Sequence, residues 1–83
     1  MEKILVSVYI PSVEKNYEIW FPINITVGKI IELLQKAVCE LTQGSYQVRR
    51  GAILYDKRKM QPISYGEIVK TSGLQNGSSV ILI

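Results

Sequence analysis

Few side chains in this sequence could do covalent or acid–base chemistry. Cys39 is the single cysteine and there is no histidine, so the commonest general base and the commonest metal ligand are both missing. A cysteine nucleophile needs a lowered pKa and a neighbouring base. Cys39 falls in a mid-to-late turn of a predicted helix, away from its N-terminus, and reads as a passive small residue beside Val38. Asp56, Glu67 and the other carboxylates form no acid–base pair, and acids dispersed around one cysteine offer no metal-site spacing. Gly44, Gly51, Gly66, Gly73 and Gly77 are scattered and make no phosphate loop. The sequence therefore predicts no catalytic residue, metal or cofactor, and no small-molecule substrate.

Binding chemistry is better represented. Arg49, Arg50, Lys57, Arg58 and Lys59 supply five of the ten positive charges within eleven positions. Such a set could attract nucleic acid, anionic lipid or an acidic protein. It stands beside no recognised RNA-binding motif and no evident stacking platform, and the formal net charge is only +3. The five residues form a candidate anion contact, with a solvated turn as the simpler reading and nucleic acid disfavoured as a partner.

Composition bounds the elements that must carry these groups. Eighty-three residues, 47% hydrophobic and 20% charged, suit one globular domain over residues 1–83 near the lower limit for a self-sufficient core. Apolar runs fall well short of the roughly 18 residues that suggest a membrane span. The start lacks a small-residue cleavage site. A lone cysteine cannot form an internal disulfide, which favours a reducing cytoplasm.

Ile4–Ile10 alternates as a strand, with Ile4, Val6, Val8 and Ile10 inward and Leu5, Ser7 and Tyr9 outward. Pro11–Asn16 forms a polar turn, and Tyr17–Phe21 is a second strand with Glu18 and Trp20 outward, giving an antiparallel hairpin. Thr26 is an N-cap for a helix whose Val27, Ile30, Ile31, Leu34, Val38 and Leu41 recur at three- and four-residue steps. Lys29, Glu32, Gln35, Lys36 and Glu40 take the wet side, and Gly44 marks the exit. Tyr46–Tyr55 is strand-like, with Ile53 inward and Leu54 outward. Asp56–Lys59 turns, and Met60 returns to the core. A short helical turn is placed around Tyr65–Val69. Asn76-Gly77 is a turn signal before a last strand, Ser79–Ile83, with Val80 and Leu82 toward the helix and Ile81 and Ile83 away.

One helix across one face of a mixed sheet buries all these stripes. The order ββαββ, with Thr26-Val27, Ile30 and Leu34 at a capped helix start and Leu74–Leu82 as a closing turn and strand, resembles the ubiquitin-like β-grasp, an α+β fold. Within it, the Tyr-Glu-Ile-Trp-Phe-Pro hairpin and the Thr-Val-Gly-Lys-Ile-Ile helix entry look most like the YukD-type proteins that accompany type VII (WXG100) secretion in Gram-positive bacteria. The resemblance implies a cytoplasmic accessory of secretion that is not an enzyme. Ubiquitin and sulfur carriers are activated at a terminal glycine. This sequence ends at Ile83 without Gly-Gly, so binding is expected in preference to conjugation. A carrier or modifier, or a basic-surface nucleic-acid binder, is the alternative.

The outer sheet face follows from the alternation. Leu5, Trp20, Leu54, Ile81 and Ile83 are expected to form an apolar wall opposite the helix, and Leu54 and Ile83 match two positions of ubiquitin's binding patch. The partner is expected to be another protein or a second copy of the chain.

Overall fold

The computed structural model describes residues 2–83. Its elements are β1 (Lys3–Ile10), β2 (Lys15–Pro22), α1 (Val27–Leu41), β3 (Leu54–Asp56), β4 (Gln61–Pro62), a 3-10 turn (Val69–Thr71) and β5 (Ser79–Leu82). The sheet order is β2-β1-β5-β3-β4. β1 and β5 run parallel, and the remaining pairs are antiparallel. The first and last strands thus lie side by side in the sheet, as the resemblance implies.

The hairpin forms where prolines and polar residues interrupt the alternation. Residues 11–14 close it through Val13 N–H to Ile10 O and Glu14 N–H to Pro11 O, both 3.2 Å. Glu14 adopts a left-handed φ of 51° there. α1 begins at Thr26, whose Oγ1 accepts from Lys29 N–H at 3.1 Å. It ends in a Schellman arrangement: Gln43 N–H bonds to Glu40 O at 3.1 Å and Gly44 N–H to Cys39 O at 2.9 Å. Gln43 (φ 53°) and Gly44 (φ 87°) are both left-handed, so the exit signalled by Gly44 is a two-residue device.

The helix lies over β1, β5 and β3. Val6, Val8, Ile10, Leu54, Val80 and Leu82 from the sheet share one buried cluster with Val27, Ile30, Ile31, Leu34 and Val38 from α1. The final strand starts from a docked turn. Asn76 Oδ1 accepts from Leu5 N–H at 2.7 Å, and Gly77, at φ 88°, donates to Leu5 O at 2.8 Å.

Several expectations are corrected. Residues 46–53 are not strand; β3 begins only at Leu54. Leu54 is fully buried, and Ile53 is exposed. A turn at Arg50–Gly51, with Gly51 at φ 75°, interrupts the stretch before β3. The phase is set instead by pairing with β5, where Leu54 stands opposite Leu82, and residues opposite one another share a face. Met60 is 74% exposed. Its left-handed φ of 57° closes the turn by an N–H bond to Asp56 O at 2.8 Å. Leu41 is exposed although it continues the helical stripe. It borders an open hollow with Ser12, Val13 and Tyr17. Gln35 is buried, not wet. The short helical turn falls later than predicted, at Val69–Thr71, and β4 is a fifth strand of two residues.

Candidate interaction surface

The outward residues of the central strands meet in a defined register. Tyr9 on β1 is the parallel neighbour of Ile81 on β5, and Ile81 is opposite Tyr55 on β3. Ile53 and Ile83 exchange both backbone hydrogen bonds, at 2.7 and 2.9 Å, which places them directly opposite one another. Five side chains, Tyr9, Tyr55, Ile81, Ile53 and Ile83, therefore share one end of the face away from the helix. Tyr9, Ile53 and Ile83 are exposed, and Tyr55 and Ile81 are half-buried.

The structure divides the sequence-predicted set. Ile81 and Ile83 lie in this strip. Leu54 does not, because it belongs to the core on the other side of the sheet, and Ile53 takes its place. Leu5 and Trp20 are outward and opposite each other across β1 and β2, but at the other end of the face. Leu5 is about 13 Å along the strand from Tyr9. Between them runs a polar row: Ser7 neighbours both Glu18 and Ser79, and its Oγ donates to Asn16 Oδ1 at 3.3 Å. The single wall anticipated from alternation is two apolar ends with a hydrophilic waist.

The segment leading into Ile53 is held by a residue that sequence reasoning placed in water. Gln35 Oε1 accepts from Tyr46 O–H at 2.8 Å and from Arg49 N–H at 3.0 Å. Its Nε2 donates to Arg49 O at 3.1 Å. A side-chain amide thereby occupies backbone groups that a strand ladder would otherwise use. Tyr65 O–H fixes the next turn by donating to Ala52 O at 2.6 Å. Burial pushes the Tyr46 hydroxyl pKa above its ordinary value, and the Arg49 cation opposes that rise.

Known proteins add the fold context. No protein-family model matches the sequence, and no curated protein matches it. Solved structures do match. The EccD5 ubiquitin-like domain from Mycobacterium xenopi superposes with a TM-score of 0.80 at 11% identity, over 100% of this chain and 94% of that one. The ubiquitin-like domain of the Mycobacterium tuberculosis type VII secretion system protein EccD1 gives 0.77 at 11% identity, over 100% and 99%. Caldiarchaeum subterraneum ubiquitin gives 0.71 at 17% identity, over 99% and 92%. The fold is the ubiquitin-like β-grasp.

On this ubiquitin-like scaffold the basic residues do not act as one group. Arg49 and Arg50 stand beside α1. Lys57 borders a notch on the outer face with Ser7, Tyr9, Asn16 and Ser79. Asp56 Oδ1 accepts from Arg58 N–H at 2.9 Å and Lys59 N–H at 3.4 Å, so the turn carrying these cations is built by a buried carboxylate. Lys59 Nζ folds back to Ser72 O at 3.3 Å. Among the described residues no group of three His, Cys, Asp or Glu could hold a metal ion, and no helix is long and apolar enough to cross a membrane.

Two positions that shape this surface were missed from sequence. Ile53 was lost to the one-residue phase error, and only its pairing with Ile83 reveals it. Gln35 stands four residues after Ile31 and three before Val38, at the edge of the buried stripe, so its spacing signals burial and only its polarity argues for water.

Proposed function

We propose that this ubiquitin-like chain is a non-enzymatic protein-interaction module that serves as a cytoplasmic accessory of a bacterial type VII secretion system. The observation that carries the interaction reading is the Tyr9–Ile81–Tyr55 and Ile53–Ile83 strip on the sheet face opposite the helix. Three of its members, Tyr9, Ile53 and Ile83, are exposed beside one another, and contiguous apolar surface of this kind marks contact sites. Covering the exposed parts of Ile53 and Ile83 would contribute about 1–2 kcal/mol each before the cost of association is subtracted. The secretion assignment draws support from the likeness in fold to the two EccD domains and from the hairpin and helix-entry residues that resemble YukD-type proteins.

A matched pair of variants tests it. Ile53→Asp places a charge on the strip, and Leu54→Asp places one in the core. In cells that express the tagged chain together with a type VII secretion locus, crosslinking should join the parent chain to a component of the membrane complex. Ile53→Asp should lose that product and keep a native melting profile, whereas Leu54→Asp should fail to fold. If the parent forms no such product, or Ile53→Asp forms it undiminished, the proposal is wrong.

A further inference from the structure

A second surface lies on the helix side of the molecule. A groove of about 560 Å³ runs between α1 and the 48–52 segment, with Tyr65 at one end. Its apolar lining comes from Ile31, Val48, Ala52 and Tyr65, and Val48 is 55% exposed on the rim. The volume is within the range of pockets that take small ligands or peptide side chains.

The charges around this groove are unbalanced. Lys36, Arg49 and Arg50 border it together with a single acid, Glu32. Glu32 already serves two lysines, with Lys29 Nζ at 3.4 Å and Lys36 Nζ at 3.8 Å. Arg49 and Arg50 have no carboxylate partner among the described residues. An apolar floor bordered by two arginines that pair with no carboxylate among those residues is complementary to an apolar side chain flanked by carboxylates.

The wall of the groove is already set. Gln35 fixes Arg49 by both its backbone N–H and its C=O, and Tyr65 fixes Ala52. Between them Gly51 adopts φ 75°, and no atom lies within 4 Å of where a Cβ would stand, so its backbone is open to an approaching chain. A preformed wall lowers the ordering cost of binding.

We propose that this groove is a second protein-docking site, which takes a short partner segment carrying an apolar side chain between acidic residues. The site is separate from the outer sheet face, and neither depends on the other.

The test is a titration of the full isotope-labelled chain, followed by amide NMR shifts, with the capped peptide Asp-Asp-Ile-Leu-Asp-Asp. Two control peptides replace the four acids by lysine or the Ile-Leu pair by Ser-Ser. Shifts should concentrate at Ile31, Val48, Arg50, Gly51 and Ala52, and both controls should bind more weakly. Arg50→Glu should weaken binding about tenfold, and Arg50→Lys should largely preserve it. Val48→Asp, also at an exposed position, should weaken binding while the spectrum stays dispersed. Shifts centred on Tyr9, Ile53 and Ile81, equal binding of the lysine peptide, no saturable shift, or indifference to Arg50→Glu would each overturn the proposal.

Discussion

Replacing Gln35 by leucine probes the contact that distinguishes this chain's third segment from an ordinary strand. Leucine has similar volume and comparable helix propensity, so packing and helix formation change little. What disappears is three hydrogen bonds, from Tyr46 O–H, to Arg49 O and from Arg49 N–H. At roughly 0.5–1.5 kcal/mol net each, their loss amounts to about 1.5–4.5 kcal/mol. Arg49 is exposed and its backbone can turn to water, whereas Tyr46 is buried and its hydroxyl is stranded. The sum therefore falls near the middle of that range, at about 2–3 kcal/mol. With a urea m-value of about 1 kcal/mol/M for so small a domain, the unfolding midpoint should drop by about 2–3 M. Tyr46→Phe should cost about 1 kcal/mol, and the double variant should cost less than the sum of the two, because both break one shared bond. Hydrogen exchange at the Arg49 amide should accelerate in Gln35→Leu. If the midpoint of Gln35→Leu stays within about 0.5 M of the parent and the Arg49 amide keeps its protection, Gln35 does not hold this segment and the reasoning fails.

Two further outcomes follow from the core and from Tyr46. Leu34 is almost fully buried at the centre of the helix stripe, so Leu34→Ala should cost about 2–5 kcal/mol by denaturant unfolding; a smaller loss would mean that the stripe does not face the sheet. Tyr46 has a folded-state pKa above 10.0, so it holds its proton after the unfolded chain has lost it. Its contribution is complete below pH 10.0 and is lost as pH rises through the folded pKa. The difference in stability between parent and Tyr46→Phe should therefore shrink across that alkaline window and stay constant below it.

Much of the fold is legible wherever one periodicity runs without interruption. β1, β2, α1 and the last strand each present a stripe long enough to fix which side is buried, and Pro11, Thr26 and Asn76-Gly77 mark their ends by local chemistry. The candidate surface is less legible, because it depends on the phase of a three-residue strand. Tyr46–Tyr55 contains enough apolar and β-branched residues to suggest extension, yet Gln35 and Tyr65 take its backbone groups first. The sequence pattern assigns the inward face to Ile53 where the structure gives it to Leu54, and in a strand one residue exchanges the two faces.

The sequence by itself determined the order of elements, the capped helix, the inward stripes of the long strands and the poverty of catalytic side chains, because these rest on neighbours within a few positions. Only the tertiary structure decided that Ile53 joins Ile83 on the open face while Leu54 is enclosed, that Leu5 and Trp20 lie apart from them, and that Gln35 reaches the backbone of Arg49. Those facts depend on which strand lies beside which and in what register. Contacts between residues such as Ile53 and Ile83, thirty positions apart, are chosen by closing the whole core at once, and no local pattern records them.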